Sequence, residues 1–248
     1  MSRLTGKRAW ITGGGSGIGE ASAHALAASG AEVFVSGRRK EPLDAVCAAI
    51  EANGGTAHAL PLDTTDKQAV QDVAQEVGRV DILVASAGLN IPNRSMADIT
   101  PEAWDHVVDV NLNGVFYPCL AVLPGMRAQG DGQLIIVSSW AGRYASRMTG
   151  AAYSATKRAL ISLNESLNDE EGAHGIRSTV IMPGEVATPI MKARPKPPSE
   201  ADMARMLQAE DLGETVRFVA EMPARACVNE VLISPTWNRF YQGISEVD

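Results

Sequence analysis

Short runs of apolar residues alternate along the chain with longer segments whose apolar positions recur at helical spacing. Short apolar runs between turn residues predict buried strands, and segments with an apolar stripe predict helices that cover a sheet. Strands are predicted at residues 9–12, 32–36, 56–62, 81–85, 134–137, 177–182 and 231–233. Helices are predicted at residues 20–29, 42–52, 66–77, 151–167, 201–207 and 213–221, with a longer helical region that begins at 101–111 and is punctuated by Gly114 and Pro118.

This alternation is typical of an α/β fold in which parallel strands are joined by right-handed helical crossovers. Seven predicted strands indicate a doubly wound parallel sheet. No repeat, low-complexity tract or linker interrupts the 248 residues, so one domain is predicted over residues 1–248. A flap over the substrate is predicted at about 189–210, around the proline-containing segment 192–200. Ligands of such sheets bind beyond the carboxyl ends of the strands, so the residues that follow each strand are the candidates for chemistry.

Charge and cysteine content exclude several classes of function. The net charge of −7 argues against general nucleic-acid binding, because no broad basic surface is available for phosphates. Cys47, Cys119 and Cys227 are too few and too scattered for a disulfide framework or a zinc site. The N-terminus lacks the apolar core of a signal peptide, and the asparagines, glycine and prolines in the uncharged run 110–126 argue against a membrane span. A cytoplasmic protein without nucleic-acid, membrane or metal partners is predicted.

A glycine-rich loop joins the first predicted strand to the first predicted helix. Glycines at this point let the backbone approach a pyrophosphate closely, and the helix N-terminus favours its negative charge. No lysine followed by serine or threonine closes the loop, so a nucleoside-triphosphate loop is excluded. The loop therefore predicts a dinucleotide site, with the candidate residues Gly13, Gly15, Ser16, Gly17, Ile18 and Gly19.

The end of the second predicted strand indicates which dinucleotide is bound. A site for NAD places an acidic residue about 20 positions into the motif, against the ribose hydroxyls. This chain has Gly37 there, followed by the three basic residues Arg38, Arg39 and Lys40, and it has no acidic residue. Guanidinium groups bind phosphate well, so Arg38 and Arg39 favour NADP(H). The alternatives are that Arg38 stacks on the adenine of NAD(H) or that these basic side chains are simply solvated.

Tyr153 and Lys157 lie four residues apart in a predicted helix, which places them on one face. A nearby ammonium favours the phenolate, so Lys157 is predicted to lower the pKa of Tyr153 from its usual value of about 10. Tyr153 is thereby a candidate general acid or base. Polar side chains near this position leave two pairs of alternatives open, Ser138 or Ser139 and Asn111 or Asn113.

Together these features resemble the short-chain dehydrogenase/reductase family over nearly the whole chain. The family's glycine motif, TGxxxGxG, is present as residues 12–19, and its nicotinamide-side motif as residues 183–188. The resemblance assigns a catalytic tetrad of Asn111, Ser139, Tyr153 and Lys157. Beside the glycine loop, Arg38 and Arg39, it assigns to the cofactor site Asp63, Thr64, Ala87, Gly88, Tyr153, Lys157, Pro183, Gly184, Val186 and Thr188.

The resemblance implies a Rossmann-type domain with a seven-stranded parallel sheet flanked by helices, assembled as a homotetramer or homodimer. It implies an NADP(H)-dependent alcohol dehydrogenase or carbonyl reductase in which hydride passes between nicotinamide and substrate while Tyr153 gives or takes the proton. Lys157 would lower the pKa of Tyr153 and bind the nicotinamide ribose. Ser139 would hydrogen-bond the substrate oxygen, and Asn111 would hold a water that links Lys157 to solvent.

Two features depart from the family pattern. The family's NNAG motif reads Ala-Ser-Ala-Gly at residues 85–88, so both asparagines are absent. Because that motif supports the sheet and the adenine pocket, the catalytic assignments are unchanged. The stretch from Ser139 to Tyr153 is one residue longer than usual, and we place the extra residue in the loop 143–149.

The substrate pocket is predicted from residues 90–95, 140–148 and 190–207. Arg94, Arg143 and Arg147 are candidates to hold a substrate carboxylate, with solvated surface arginines as the alternative. Trp140 and Tyr144 are candidates for an apolar wall, with ordinary core packing as the alternative. The tail at 222–243 has a short similarity to NADP-dependent serine and 3-hydroxy acid dehydrogenases.

Two other functions compete with a carbonyl reductase. One is a 3-oxoacyl-thioester reductase of the same family, whose acidic carrier protein would require a basic rim that this acidic chain does not obviously supply. The other is a sensor or scaffold that binds NADP(H) without turnover, which the presence of all four tetrad residues disfavours.

Overall fold

In the computed structural model, which describes residues 3–194 and 196–241, the apolar runs form one sheet of seven parallel strands. The strands are β1 (Arg8–Thr12), β2 (Glu32–Gly37), β3 (Thr56–Pro61), β4 (Ile82–Ala85), β5 (Gly132–Val137), β6 (Ile176–Pro183) and β7 (Glu230–Ile233). The helices are α1 (Gly17–Ala28), α2 (Lys40–Ala52), α3 (Lys67–Val77), α4 (Pro101–Val108), α5 (Gly114–Gln129), α6 (Trp140–Arg143), α7 (Ala151–Glu171), α8 (Glu200–Met203) and α9 (Ala209–Ala220). The predicted Rossmann-type sheet flanked by helices is confirmed. Both ends of the predicted domain 1–248, Pro195 of the predicted flap and the last residues of the tail 222–243 lie outside the described residues.

The order of the strands creates a crevice at the centre of the sheet. The order is β3-β2-β1-β4-β5-β6-β7, so the chain moves outward from β1 to β3 and then returns to the other side of β1. The connections that leave β1 and β4 run in opposite directions, which opens a crevice beyond their carboxyl ends. Thr12 pairs with Ala85 at these ends. The glycine loop and the segment 86–88 therefore face each other across the crevice.

Both faces of the sheet are buried, because successive strand residues point to opposite sides and each side carries a layer of helices. Ile11 belongs to the core that includes α1, α2 and α9. Its neighbour Trp10 belongs to the core that includes α3, α5 and α7. The indole of Trp10 donates a hydrogen bond of 2.9 Å to Ser36 Oγ, so its buried polar group is satisfied.

The helical region that begins at Pro101 continues past Gly114 and Pro118. After α4, a wide turn of π geometry spans Asp109–Asn113, and α5 then runs to Gln129. Glycine is required at 114 because a Cβ there would lie 2.6 Å from Thr64 Oγ1. This close approach sets α5 against the end of β3, and the π turn directs Asp109, Val110 and Asn111 toward the crevice.

The stretch Pro101–Gln129 is long and apolar enough to cross a membrane by length and composition alone. In this structure 44% of its most apolar window is buried inside the protein. Cys119, Val122 and Met126 of α5 belong to the core that covers the sheet. The stretch therefore packs as a core helix of a globular protein does, and the absence of a membrane partner stays a prediction.

The helix predicted at residues 201–207 is wrong beyond its first turn, α8. Leu207 instead forms a parallel bridge with Val186. Leu207 N donates to Glu185 O at 3.0 Å, and Ala187 N donates to Leu207 O at 2.8 Å. Leu207 and Val186 are both buried in the core, so backbone pairing and burial outweigh local helix propensity here. The bridge fixes the predicted flap against the segment that follows β6.

Candidate active site

A cleft of about 380 Å³ lies beyond the carboxyl ends of the central strands. A Cβ at Gly13 would lie 2.9 Å from Ala87 N, and Gly13 has a φ of +67°, so glycine is required on both counts. Gly19 lies behind the loop, where a Cβ would overlap the carbonyl oxygen of Gly13. The residues predicted for the cofactor site that line this cleft are Gly13, Gly15, Ser16, Arg38, Arg39, Asp63, Thr64, Ala87 and Gly88.

At the outer end of this cleft, basic side chains stand beside one oriented carboxylate. Arg38 and Arg39 are exposed at the cleft wall. Asp63 Oδ1 accepts hydrogen bonds from Thr65 N at 3.0 Å and Thr65 Oγ1 at 2.8 Å. The backbone bond from Thr65 is the largest cause that lowers the pKa of Asp63, and the charge of Arg38 adds to it. Sequence reasoning missed several other lining residues, which carry no motif of their own: Leu62, Thr65, His106, Asp109 and Val110.

The inner end of the cleft is a second cavity of about 220 Å³. It shares Gly13, Ser16, Ala87 and Gly88 with the outer half, so the two halves form one continuous groove. A groove with a glycine cradle at its middle and guanidinium groups at one end fits a dinucleotide. The predicted residues that line this inner half are Gly17, Ile18, Tyr153, Lys157, Pro183, Gly184, Val186 and Thr188.

The structure brings Ser139, rather than Ser138, to Tyr153. Ser139 is the N-cap of α6, where its Oγ accepts a 3.1 Å hydrogen bond from Ala141 N. Its hydroxyl is also hydrogen-bonded to the hydroxyl of Tyr153. Ser138 Oγ donates instead to the carbonyl oxygen of Lys157 at 2.6 Å, which ties β5 to α7. The alternative left open by the sequence is thus resolved by geometry.

Lys157 is buried beside Tyr153. Its side chain is only 4% exposed, and its Nζ donates to Val137 O at 2.9 Å. The same Nζ lies 5.8 Å from the centre of the Tyr153 ring. Burial lowers the pKa of Lys157 to about 8. The lysine therefore holds its proton less firmly than an exposed lysine does.

The prediction that Lys157 lowers the pKa of Tyr153 does not hold in this structure. Burial raises the pKa of Tyr153, because an apolar surrounding disfavours the phenolate. The hydrogen bond from Ser139 opposes this rise, as do the charges of Arg194 and Arg94. Spacing along a helix predicts that two side chains are near each other, but it does not predict how deeply both are buried.

Asn111 lies at the site, whereas Asn113 does not. The amide of Asn111 is fully buried; its Oδ1 accepts from Leu89 N and its Nδ2 donates to Leu89 O, both at 2.8 Å. A Cβ at Gly88 would lie 3.3 Å from Lys157 Nζ and 3.4 Å from Asn111 Oδ1, so the two side chains meet over Gly88. Asn113 bonds Asp109 at the surface. Asn111 thus anchors the segment after β4, and its water-holding role stays a prediction.

The predicted substrate side of Tyr153 carries two arginines. A small pocket of about 70 Å³ next to Ser139 and Tyr153 is lined by Arg94, Arg194 and Trp140, among others. Sequence reasoning named Arg94 and Trp140 individually, whereas it included Arg194 only as part of the segment 190–207, because no local motif marks this arginine.

The other residues named individually as substrate candidates, Arg143, Arg147 and Tyr144, lie outside this small pocket. Arg143 forms a 3.6 Å ion pair with Glu230 and lines none of the cavities described here. Arg147 lines a neighbouring cavity. Tyr144 packs on Trp140 with ring centres 5.0 Å apart, but it is 51% exposed and does not line the pocket.

The family model described as short chain dehydrogenase matches residues 7–198. The chain belongs to the short-chain dehydrogenase family. This short-chain dehydrogenase is 34% identical over 239 residues to an uncharacterized oxidoreductase of Staphylococcus haemolyticus, with 95% of this chain and 100% of the relative covered. Like that relative, it is an oxidoreductase.

Two solved structures similar to this short-chain dehydrogenase hold NADP or a derivative. One is a metagenomic short-chain oxidoreductase in complex with NADP, with a TM-score of 0.82, 31% identity, and 96% and 100% of the two chains covered. The other is an alcohol dehydrogenase of Thermococcus sibiricus complexed with 5-hydroxy-NADP, with a TM-score of 0.84, 26% identity, and 94% and 98% covered.

Proposed function

We propose that this short-chain dehydrogenase uses NADP(H) to interconvert a carbonyl compound and a secondary alcohol, with Tyr153 as the general acid or base. The observation that carries the proposal is the meeting of Ser139, Tyr153 and Lys157 at the inner end of a groove that fits a dinucleotide. A bound nicotinamide would supply the hydride, which leaves proton transfer and polarisation of the substrate oxygen to the protein.

The three side chains have separate tasks in this reaction. Ser139 Oγ accepts from Ala141 N, so its own hydrogen remains available for the oxygen of Tyr153 or of the substrate. Tyr153 donates its proton to the substrate oxygen during reduction and accepts it during oxidation. The pKa of Lys157, lowered to about 8 by burial, lets this lysine exchange protons near neutral pH. Its position beside the Tyr153 ring makes it a group that could resupply the proton.

The choice of NADP(H) is supported by the end of β2. Arg38 and Arg39 line the outer groove at the place where an acid would select the ribose of NAD. The carboxylate present there, Asp63, comes from the end of β3 and is already bonded to Thr65. The two similar structures that hold NADP or its derivative support the same choice.

The acid–base role is tested with Tyr153→Phe, which removes one hydroxyl and keeps the ring. We expect reduction of a carbonyl panel with NADPH to fall by about 100-fold or more, the size of a general acid–base contribution. Binding of NADPH, followed by its fluorescence, should persist. Activity that survives in Tyr153→Phe would contradict this mechanism, and a wild-type protein that binds NADPH but reduces nothing would favour a sensor.

The cofactor preference is tested by titrating NADPH and NADH into the wild type and into Arg38→Ala. A lost guanidinium–phosphate contact should weaken NADPH binding by about 10-fold to 100-fold and leave NADH binding nearly unchanged. Lys40→Ala is the matched control, because Lys40 is exposed, pairs with Asp44 at 2.7 Å and does not line the groove. Equal binding of both cofactors, unchanged in Arg38→Ala, would refute the phosphate site.

A further inference from the structure

A larger cavity, separate from the cofactor groove, adjoins the small pocket beside Tyr153. It encloses about 440 Å³ between the segment after β4 and the predicted flap. Arg94, Met148 and Arg194 line both this cavity and the small pocket that holds Ser139 and Tyr153. A molecule whose reacting carbon lies at Tyr153 would therefore extend directly into this cavity.

The lining of this cavity is basic although the chain as a whole carries a net charge of −7. Asp98 and Asp202 are its two acidic residues. Such a local excess of positive charge in a concave site attracts anions and disfavours cationic ligands. The basic residues that line the cavity are Arg94, Arg147, Arg194, Lys196 and Arg239.

A single buried carboxylate holds two of these guanidinium groups in place. Glu185 is 3% exposed and lies two residues after the end of β6. Its Oε1 accepts from Arg194 Nη1 at 2.6 Å, and its two oxygens accept from Arg239 at 2.7 and 2.8 Å. Two cations thus share one carboxylate, and Arg239 also lies 3.9 Å from Asp202, so these four side chains form one ion-pair network. The network also fixes Arg194, from the predicted flap, against the end of the chain that carries Arg239.

Arg94 is the second guanidinium on the substrate side of Tyr153. Its backbone oxygen and its Cβ abut Gly150, where an added Cβ would lie within 2.7 Å of both, so the start of α7 leaves room only for glycine beside it. Among the described residues no carboxylate forms an ion pair with Arg94. Burial lowers the pKa of Arg94, and the like charge of Arg194 lowers it further. Two cations in a partly buried site repel each other, and an anion between them would remove that repulsion.

We propose that the substrate is a small carbonyl compound or alcohol with an acidic group, a carboxylate or a phosphate, which Arg94 and Arg194 bind beside the reacting carbon. The inference rests on the proposed function, because it places the reacting carbon at Tyr153. A guanidinium group can bind two oxygens of a carboxylate or phosphate at once through two parallel hydrogen bonds. A 3-oxoacyl thioester fits this arrangement less well, since its neutral pantetheine arm would lie where the two arginines are.

Direct binding tests the anion site without turnover. The protein loaded with NADP⁺ is titrated calorimetrically with acetoacetate, methyl acetoacetate and inorganic phosphate. At least one anion should bind, the neutral ester should bind more weakly, and Arg94→Ala should weaken anion binding by about 10-fold to 100-fold. Arg94→Lys should restore part of the loss. Arg143→Ala is the matched control, because Arg143 is paired with Glu230 outside the cavity. Absence of any anion binding that depends on Arg94 would overturn the inference.

Turnover then separates this inference from the proposed function. NADPH oxidation is measured with acetoacetate and its methyl ester, with dihydroxyacetone phosphate and dihydroxyacetone, and with acetoacetyl-coenzyme A. The inference is supported if kcat/KM is higher for a small acid than for its neutral partner. In Arg94→Ala the kcat/KM for the acid should then fall about 10-fold to 100-fold because KM rises. The first pair reports a carboxylate and the second a phosphate.

The other outcomes of the turnover experiment are equally decisive. Equal reduction of acids and neutral partners would overturn the acidic-substrate inference and leave the proposed function intact. Preferred reduction of acetoacetyl-coenzyme A, insensitive to Arg94→Ala, would overturn it in favour of the thioester reductase. The remaining outcome is that anions bind in an Arg94-dependent way, but no carbonyl is reduced with NADPH and none of the corresponding alcohols is oxidised with NADP⁺. That outcome would instead refute the proposed function.

Discussion

Lys157 is a cation in surroundings that disfavour charge. Replacing it by methionine measures how much the burial of this charge lowers the stability of the folded protein. Burial lowers the pKa of Lys157 from 10.5 to about 8 in the folded protein. Because the folded-state pKa lies below the unfolded value, the unfolded chain binds more protons between these two pH values. The stability of the wild type should therefore rise with pH from about 8 to 10.5.

The size of the effect follows from the two pKa values. At pH 7 the side chain is protonated in both states, and the difference between them corresponds to a cost of about 3 kcal/mol. At pH 9.5 the folded protein has mostly lost the proton, and the cost falls to about 1 kcal/mol. Lys157→Met carries no such cost. It loses the hydrogen bond to Val137 O, which costs about 1–3 kcal/mol at either pH. The stability of Lys157→Met relative to the wild type should thus fall by about 2 kcal/mol from pH 7 to pH 9.5.

Urea unfolding of the cofactor-free proteins measures this change. Tryptophan fluorescence follows the transition at both pH values and at one fixed protein concentration. Lys40→Met is the control, because its side chain is 64% exposed and its removal should change the stability difference by less than about 0.5 kcal/mol between the two pH values. A difference between Lys157→Met and the wild type that stays constant with pH would refute the reasoning that burial destabilises the charged lysine.

Two further substitutions test the groove and the sheet. Gly19→Ala places a methyl against the carbonyl oxygen of Gly13, so NADPH affinity should fall about 10-fold or more in a fluorescence titration; Gly125→Ala, where a Cβ meets nothing within 4 Å, should leave it unchanged. Burial alone would raise the pKa of Asp81, but hydrogen bonds, the largest of them from Arg79, lower it, so its contribution to stability is present above about pH 4 and is lost as the pH falls further. Asp81→Asn should therefore lower the unfolding free energy by about 2–3 kcal/mol at neutral pH, and thermal melts should show this deficit shrinking near pH 3.

The elements that the sequence predicts well are those whose signal is local. A strand buried on both faces is a short apolar run. The glycine loop requires glycine at positions 13 and 19 because a Cβ there would collide with nearby backbone atoms of the protein itself. The start of α1 was placed three residues late, because the loop glycines form its first turn. The helix predicted through Leu207 failed because its partner, Val186, is distant in sequence and no periodicity reports a backbone bridge.

The site divides in the same way. Tyr153, Lys157 and the glycine loop belong to short motifs, so the sequence predicts them, as it does the family. Arg194 is predicted only as a member of the segment 190–207, because a charged residue in a proline-containing segment has the composition of a surface loop. Only the fold brings it to Glu185, which is itself recognisable as unusual only once its 3% exposure is known. The direction of the Tyr153 pKa was wrong for the same reason, since burial is a property of the assembled core.

The two arginines near Tyr153 link substrate binding to the direction of proton transfer. Arg94 and Arg194, the second of which is paired with Glu185, stabilise the phenolate and oppose the rise that burial causes in the pKa of Tyr153. An acidic substrate bound between them would neutralise part of their charge and weaken this opposition. The pKa of Tyr153 would then rise on binding, and the tyrosine would keep its proton beside the substrate oxygen. A protonated tyrosine is the form that reduction of a carbonyl requires, and a bound acidic substrate would favour that form further.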